Sequence, residues 1–222
     1  MKKIINIFLV FLPWKIRRYI LNKFYHYQIH PTARIGLSYI YPEQLVMDEG
    51  TRIGHLNVAI HLEMIQMAKN SSISQKNWIT GFPLRNKSHF QDFPNRKPYL
   101  IMGEDSAITK QHMIDCTDCV TIGEFTSIGG YGTQILSHST SLEKNRQACE
   151  PITIGHHCFV GTRSIILPGA VLPPQSVLGA GGVLKKKFTE PFVLYGGVPA
   201  KFVKKMDETY EFFHRTYRPK ET

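Results

Sequence analysis

An aliphatic residue recurs every six positions over much of this 222-residue chain, and few folds tolerate that period. From Ile154 the series runs through Val160, Ile166, Leu172, Leu178 and Leu184. Four residues beyond each of the first five stands a small one: Cys158, Ser164, Ala170, Ser176 and Gly182. Neither a helical period of 3.6 nor a strand period of 2 produces both series. Upstream, the same step links Ile29 to Ile35, then Met47, Ile53, Ala59 and Ile65, then Met67, Ile73 and Ile79. It resumes at Met102, Ile108, Ile114 and Val120, and again at Ile122 and Ile128. The count restarts by two at Leu45-x-Met47, Ile65-x-Met67, Leu100-x-Met102, Val120-x-Ile122 and Ile152-x-Ile154.

A six-residue unit is too short to bury anything alone, whereas stacked units bury a continuous aliphatic column and hydrogen-bond from coil to coil. The expected fold is therefore all-β: a parallel solenoid over 29–205, with Gly155, Gly161, Pro168, Gly169, Pro173, Pro174 and Gly179 at corners. Two stretches break the period and read as excursions, about 80–99 and about 136–151. Loops that interrupt a regular array usually carry function or are disordered. The tail, 206–222, alternates acidic, aromatic and basic residues from Asp207 to Tyr217 and reads as a capping helix.

One domain suffices for this length. Lys and Arg exceed Asp and Glu by 27 to 17, so the surface attracts anions: nucleic acid, an acidic membrane face or a phosphorylated small molecule. Four cysteines are too few for a disulfide framework, and Cys116-x-x-Cys119 has no second pair to complete a zinc site. Residues 1–28 read as a separate hydrophobic helical segment, with an apolar run from Ile4 to Leu12 followed by Pro13, Trp14, Lys15, Arg17 and Arg18. Nine apolar residues cannot span a bilayer, which takes about 20. The segment suits either a membrane interface or packing on the domain or a partner subunit. The remainder reads as cytoplasmic, with the inner membrane face as a peripheral station.

The chain resembles the hexapeptide-repeat acyltransferases, in particular the sugar, maltose and galactoside O-acetyltransferases and those of polysaccharide biosynthesis. The match rests on Glu150-Pro-Ile-Thr-Ile-Gly155, Phe159-Val-Gly161, Leu167-Pro-Gly169, Leu178-Gly-Ala-Gly181 and Gly196-Gly-Val-Pro-Ala-Lys201, and is best over about 100–205. It implies a left-handed parallel β-helix with short terminal helices, a homotrimer, active sites between subunits, and acetyl-CoA as co-substrate without a metal. The left hand comes from the resemblance alone, because general crossover rules favour the right.

Acyl transfer from a thioester needs a base for the acceptor proton and donors for the oxyanion. His138, in Leu136-Ser-His-Ser-Thr140 before Pro151-Ile-Thr-Ile, stands where the resembling enzymes carry their catalytic histidine. Ser139 replaces the usual Pro or Asp there. Glu143 is a candidate to orient the imidazole, and a backbone carbonyl would serve as well. His112 falls on a small-residue position and is a candidate to line the cleft, whereas His156 and His157 read as exposed spacers. For CoA, the resemblance implies backbone contacts at Gly161, Thr162 and Ala180 and contacts from Lys185, Lys186, Lys201 and Lys204. This gives the positive charge a use without nucleic acid.

The expected function is O-acetylation of a sugar or polysaccharide precursor. The alternatives are N-acetylation of a nucleotide-linked amino sugar or an antibiotic, a zinc hydratase of the γ-carbonic anhydrase kind, and a non-catalytic scaffold.

Overall fold

The computed structural model describes residues 2–86 and 88–216, with side chains described from Ile5 onward. Short parallel strands stack into three sheets, so that each turn of the chain visits all three faces of a prism. The first face orders 28–29, 44–47, 64–67, 99–102, 120–122, 152–154 and 171–172. The second begins at 34–35 and ends at 177–178 and 193–196. The third runs from 39–41 through 78–80, 113–115, 134–136 and 165–166 to 183–184.

The six-residue series are the inward positions of successive faces. Ile29, Met47, Met67, Met102, Ile122, Ile154 and Leu172 pair in register up the first face. Ile108, Ile128, Val160 and Leu178 do so on the second, and Ile79, Ile114, Ile135, Ile166 and Leu184 on the third. All of these are buried in one core cluster. The restart by two also has a structural cause. First-face strands such as Ile152–Ile154 alternate buried, exposed, buried, so they present two inward residues where the other faces present one.

Three residues after most inward aliphatics of the first and second faces, the backbone turns through positive φ, as at Phe125 (53°), His157 (53°), Arg163 (55°) and Gln175 (54°). Most of these turning residues are not glycine, so the corner glycines serve a different need. A Cβ on Gly161 would lie 2.5 Å from the Ala180 nitrogen, and one on Gly155 2.5 Å from the Pro174 nitrogen. Coils one rung apart, about 4.8 Å, leave no room there for a side chain. The small residue that follows is buried: Cys158, Ser164, Ala170 and Ser176 are wholly inaccessible.

Two helices close the N-terminal end, α1 (Lys2–Leu9) and α2 (Trp14–Phe24), separated at Pro13. Leu21 joins the core, and the Arg17 guanidinium, 2% exposed, donates to the carbonyls of Gly36 (2.9 Å) and Ser38 (2.7 Å). At the other end the repeat continues past Leu184, since Val193–Gly196 adds a rung to the second face. Lys201–Lys205 then pairs antiparallel with it.

The expected C-terminal helix is not formed among the described residues of the tail, where only a 3₁₀ turn, Glu211–Phe213, appears. Residues 217–222 of that stretch lie outside the described residues. The tail's aromatics are drawn to the solenoid instead: Phe213 packs edge-on to Phe192 at 5.5 Å and Phe212 to Phe159 at 6.1 Å.

Candidate active site

Three consecutive rungs meet at the edge between the third and first faces, where Thr80, Asp115 and Leu136 share one register position. The first excursion leaves directly after Thr80, and the second after Leu136. Between them the chain turns the corner simply, through Cys116–Cys119. The second excursion is a β-hairpin, His138–Ser141 paired antiparallel with Arg146–Cys149. Its base is pinned at Ser137, whose carbonyl accepts from Glu150 N (3.0 Å) and whose hydroxyl accepts from Asp118 N (2.9 Å).

That geometry brings His138 onto Asp115. The Nδ1 and Oδ2 atoms are 2.7 Å apart, with the imidazole 43% exposed and the carboxylate 6%. The Ser137 amide and hydroxyl (3.2 and 3.1 Å) and the Thr117 hydroxyl (2.7 Å) also donate to the carboxylate. Burial pushes the Asp115 carboxyl up, but the bonds from His138, Thr117 and Ser137 together hold it below its ordinary value. The bond to Asp115 in turn raises the His138 imidazole against the opposing effect of burial. A carboxylate on Nδ1 fixes the proton there and leaves Nε2 free to accept one.

The first excursion supplies the walls. Phe90 presents its edge to His138 at 6.1 Å and 88°. Arg96 holds this loop down, donating to the carbonyls of Phe82 (2.5 Å), Pro83 (3.1 Å) and Thr117 (3.0 Å). Its guanidinium lies over the rings of Phe82 and Phe90. Between loop and hairpin opens a cavity of about 410 Å³, lined among others by His89, Phe90, Asp92, Thr140 and Arg146. Arg146 and Asp92 form an ion pair of 3.2 Å within that lining.

The structure places several of the candidate residues elsewhere than the sequence implies. Glu143 is not brought to His138, because it sits exposed in the hairpin turn, and the acid on Nδ1 is Asp115. His112 lines no cleft. It is 2% exposed, its Nδ1 accepts from Thr133 N (3.1 Å), and burial lowers it to about 4. It continues a buried polar ladder in which its own amide donates to Asn77, and Asn77 to Asn57. His156 and His157 are half-buried beside the tail, with His157 stacked on Phe125 at 4.9 Å and bonded to the Arg215 carbonyl (3.0 Å). Cys116 belongs to the core, where burial drives its thiol well up.

The CoA candidates divide between two edges. Gly161, Thr162 and Ala180 follow second-face strands and so lie on the edge between the second and third faces. Thr162 is tied there by its hydroxyl, which donates to the Tyr131 carbonyl (2.8 Å). Lys185 and Lys186 follow the third-face strand Val183–Leu184, on the same edge as His138 but two rungs, about 10 Å, further along. Lys201 and Lys204 sit exposed on the terminal antiparallel strand. Within one chain, the Thr162 edge and the His138 edge are separated by the width of the third face, about 17 Å for five extended residues, with packed core behind it.

No protein-family model matches the chain. It is 31% identical over 104 residues to the galactoside O-acetyltransferase of Escherichia coli strain K12, a match covering 45% of this chain and 51% of that protein. The chain thus spans about half the length of that curated relative. Its architecture matches a hexapeptide-repeat acetyltransferase of Vibrio cholerae O1 biovar eltor solved with acetyl coenzyme A, at a TM-score of 0.51 and 22% identity, over 63% of this chain and 69% of that one. The fold is the left-handed β-helix of the hexapeptide-repeat acetyltransferases. The same hexapeptide-repeat solenoid recurs in the polysialic acid O-acetyltransferase OatWY, at a TM-score of 0.50 and 21% identity, over 81% of this chain and 84% of that one.

Asp115, Phe90, Arg96 and Arg146 were not singled out by sequence. For Asp115 the available signal was an acid in a rung slot held by Thr80 and Leu136 in the adjacent coils.

Proposed function

We propose that this protein is a CoA-dependent acetyltransferase acting on a sugar hydroxyl, with His138 as general base and Asp115 as the residue that positions it. The observation that carries this reading is the 2.7 Å contact between His138 Nδ1 and a buried carboxylate, beside a cavity walled by the two excursions. The likeness to the galactoside O-acetyltransferase supports both the reaction class and the acceptor class.

In the proposed reaction the acceptor hydroxyl enters from the cavity and gives its proton to His138 Nε2 as its oxygen bonds to the thioester carbonyl carbon. The C–S bond then breaks, and the CoA sulfur takes the proton from the imidazolium. Asp115 stabilises that imidazolium and holds the tautomer. Acetyl-CoA is the donor in this reading. The separation of the two edges supports a homotrimer, in which the Thr162 and Ala180 edge of one copy faces the His138 edge of the next and the thioester lies between them. Lys185 and Lys186 then meet CoA phosphates further along the groove, and Lys201 and Lys204 at its end.

The test is a panel of free, nucleotide-linked and lipid-linked sugars, with hydroxyl and amino acceptors, incubated with acetyl-CoA while free thiol is followed. Acceptor-dependent thiol release with an ester product supports the reading, and an amide product moves it to N-acetylation. Thiol release that ignores every acceptor removes it.

A further inference from the structure

The two N-terminal helices are amphipathic in the wrong sense for water. On α1 the inward residues are Asn6, 8% exposed, and Leu9, while Phe8 and Phe11 beyond it are 69% and 71% exposed. Asn6 is held by hydroxyl donation from Tyr25 to its side chain and from Tyr41 to its carbonyl. On α2 the buried residues are Arg17 and Leu21, while Ile16, Tyr19 and Phe24 face out. A surface helix normally turns its apolar stripe to the core and its charges to solvent. Here an amide and a guanidinium lie inside beside Leu9 and Leu21, and aromatic rings lie outside.

The charge on this end is one-sided. Residues 1–42 contain Lys2, Lys3, Lys15, Arg17, Arg18, Lys23 and Arg34 and no Asp or Glu. Lys23 sits over the rings of Tyr19 and Phe24, so cation and aromatics share one outward face. No described helix is long and apolar enough to cross a membrane.

We propose that this inverted helical pair is an interfacial anchor that docks the N-terminal end of the solenoid on the surface of an anionic lipid bilayer. Exposed Phe and Ile side chains enter the acyl boundary, while Lys15, Arg18 and Lys23 meet the headgroups. A second copy docked face to face is the poorer occupant, because such a pair would oppose these cations with no carboxylate among them.

The experiment uses the full chain and sedimentation with vesicles of phosphatidylcholine alone or mixed with phosphatidylglycerol. Binding to the anionic vesicles is expected, weakening in high salt. Phe8→Ser/Phe11→Ser is expected to lower partitioning about tenfold or more, and Lys15→Glu/Arg18→Glu by a similar factor at low salt. Melting curves like that of the parent would show both variants folded. The proposal is overturned if anionic vesicles capture no more protein than neutral ones, or if neither folded variant loses binding. It is equally overturned if the substitutions break the oligomer apart, since the face then belongs to a second copy.

Discussion

Two edges of the same prism are built to opposite plans. The edge between the second and third faces keeps one tight corner per coil, with Gly161 against Ala180 and Thr162 strapped to Tyr131. The edge between the third and first faces opens twice in three rungs and places Asp115 on the one that stays closed. Both excursions return in register, Met67 to Met102 and Ile122 to Ile154, so the insertions leave the column undisturbed. The regular edge thus acts as a ruler, and the interrupted one carries the His138–Asp115 pair. A solenoid permits that division because each coil touches only its neighbours.

The sharpest way to break this contrast is to empty the interrupted edge. His138→Ala is expected to lower kcat by about 10²- to 10⁴-fold while the melting temperature and CoA binding stay near those of the parent. Asp115→Asn keeps the shape but removes the charge, and a loss of about 10²-fold in kcat is expected. That variant also moves the pH profile. Because Asp115 raises the His138 pKa, parental kcat/KM should climb through a value above 6.5, and the limb should shift down in the variant. The pair's contribution to stability has its own window. Asp115 contributes above its ordinary value of 3.8 and His138 below 6.5, so the benefit fades as pH rises through the raised imidazole value.

At the Gly161 corner of the regular edge the expected effect is on stability. Gly161→Val drives a Cβ into the Ala180 backbone and should cost about 1–3 kcal/mol, read from denaturant midpoints. The smallest effect belongs to Glu143→Ala. This exposed turn residue should leave kcat within about twofold, and a large loss would return the orienting role to it.

The column and its register were legible because burial imposes the six-residue period directly on the residues that fill it. The restart by two was visible as a pattern, and its cause is the extra inward residue on first-face strands. His138 stood out as a candidate only through its neighbours in sequence, Leu136 and Pro151-Ile-Thr-Ile. Its partner did not, because Asp115 is 23 positions away and occupies an ordinary rung slot. Arg17 was likewise hidden among the basic residues beside it, although it is buried. The tail misled for a related reason. Its alternating aromatics looked like a helical face, yet Phe212 and Phe213 are claimed by Phe159 and Phe192 on the solenoid.

In the proposed trimer the base on one edge works with thioester contacts on the other edge of a different copy. This pairing is tested by co-refolding two inactive variants in equal amounts, His138→Ala and Ala180→Trp, and assaying the mixture. Random assembly should restore about a quarter of parental activity, because that share of the interfaces joins an intact edge from each chain. A mixture as inactive as its two components would mean that both edges must come from one chain, and the shared site would be contradicted.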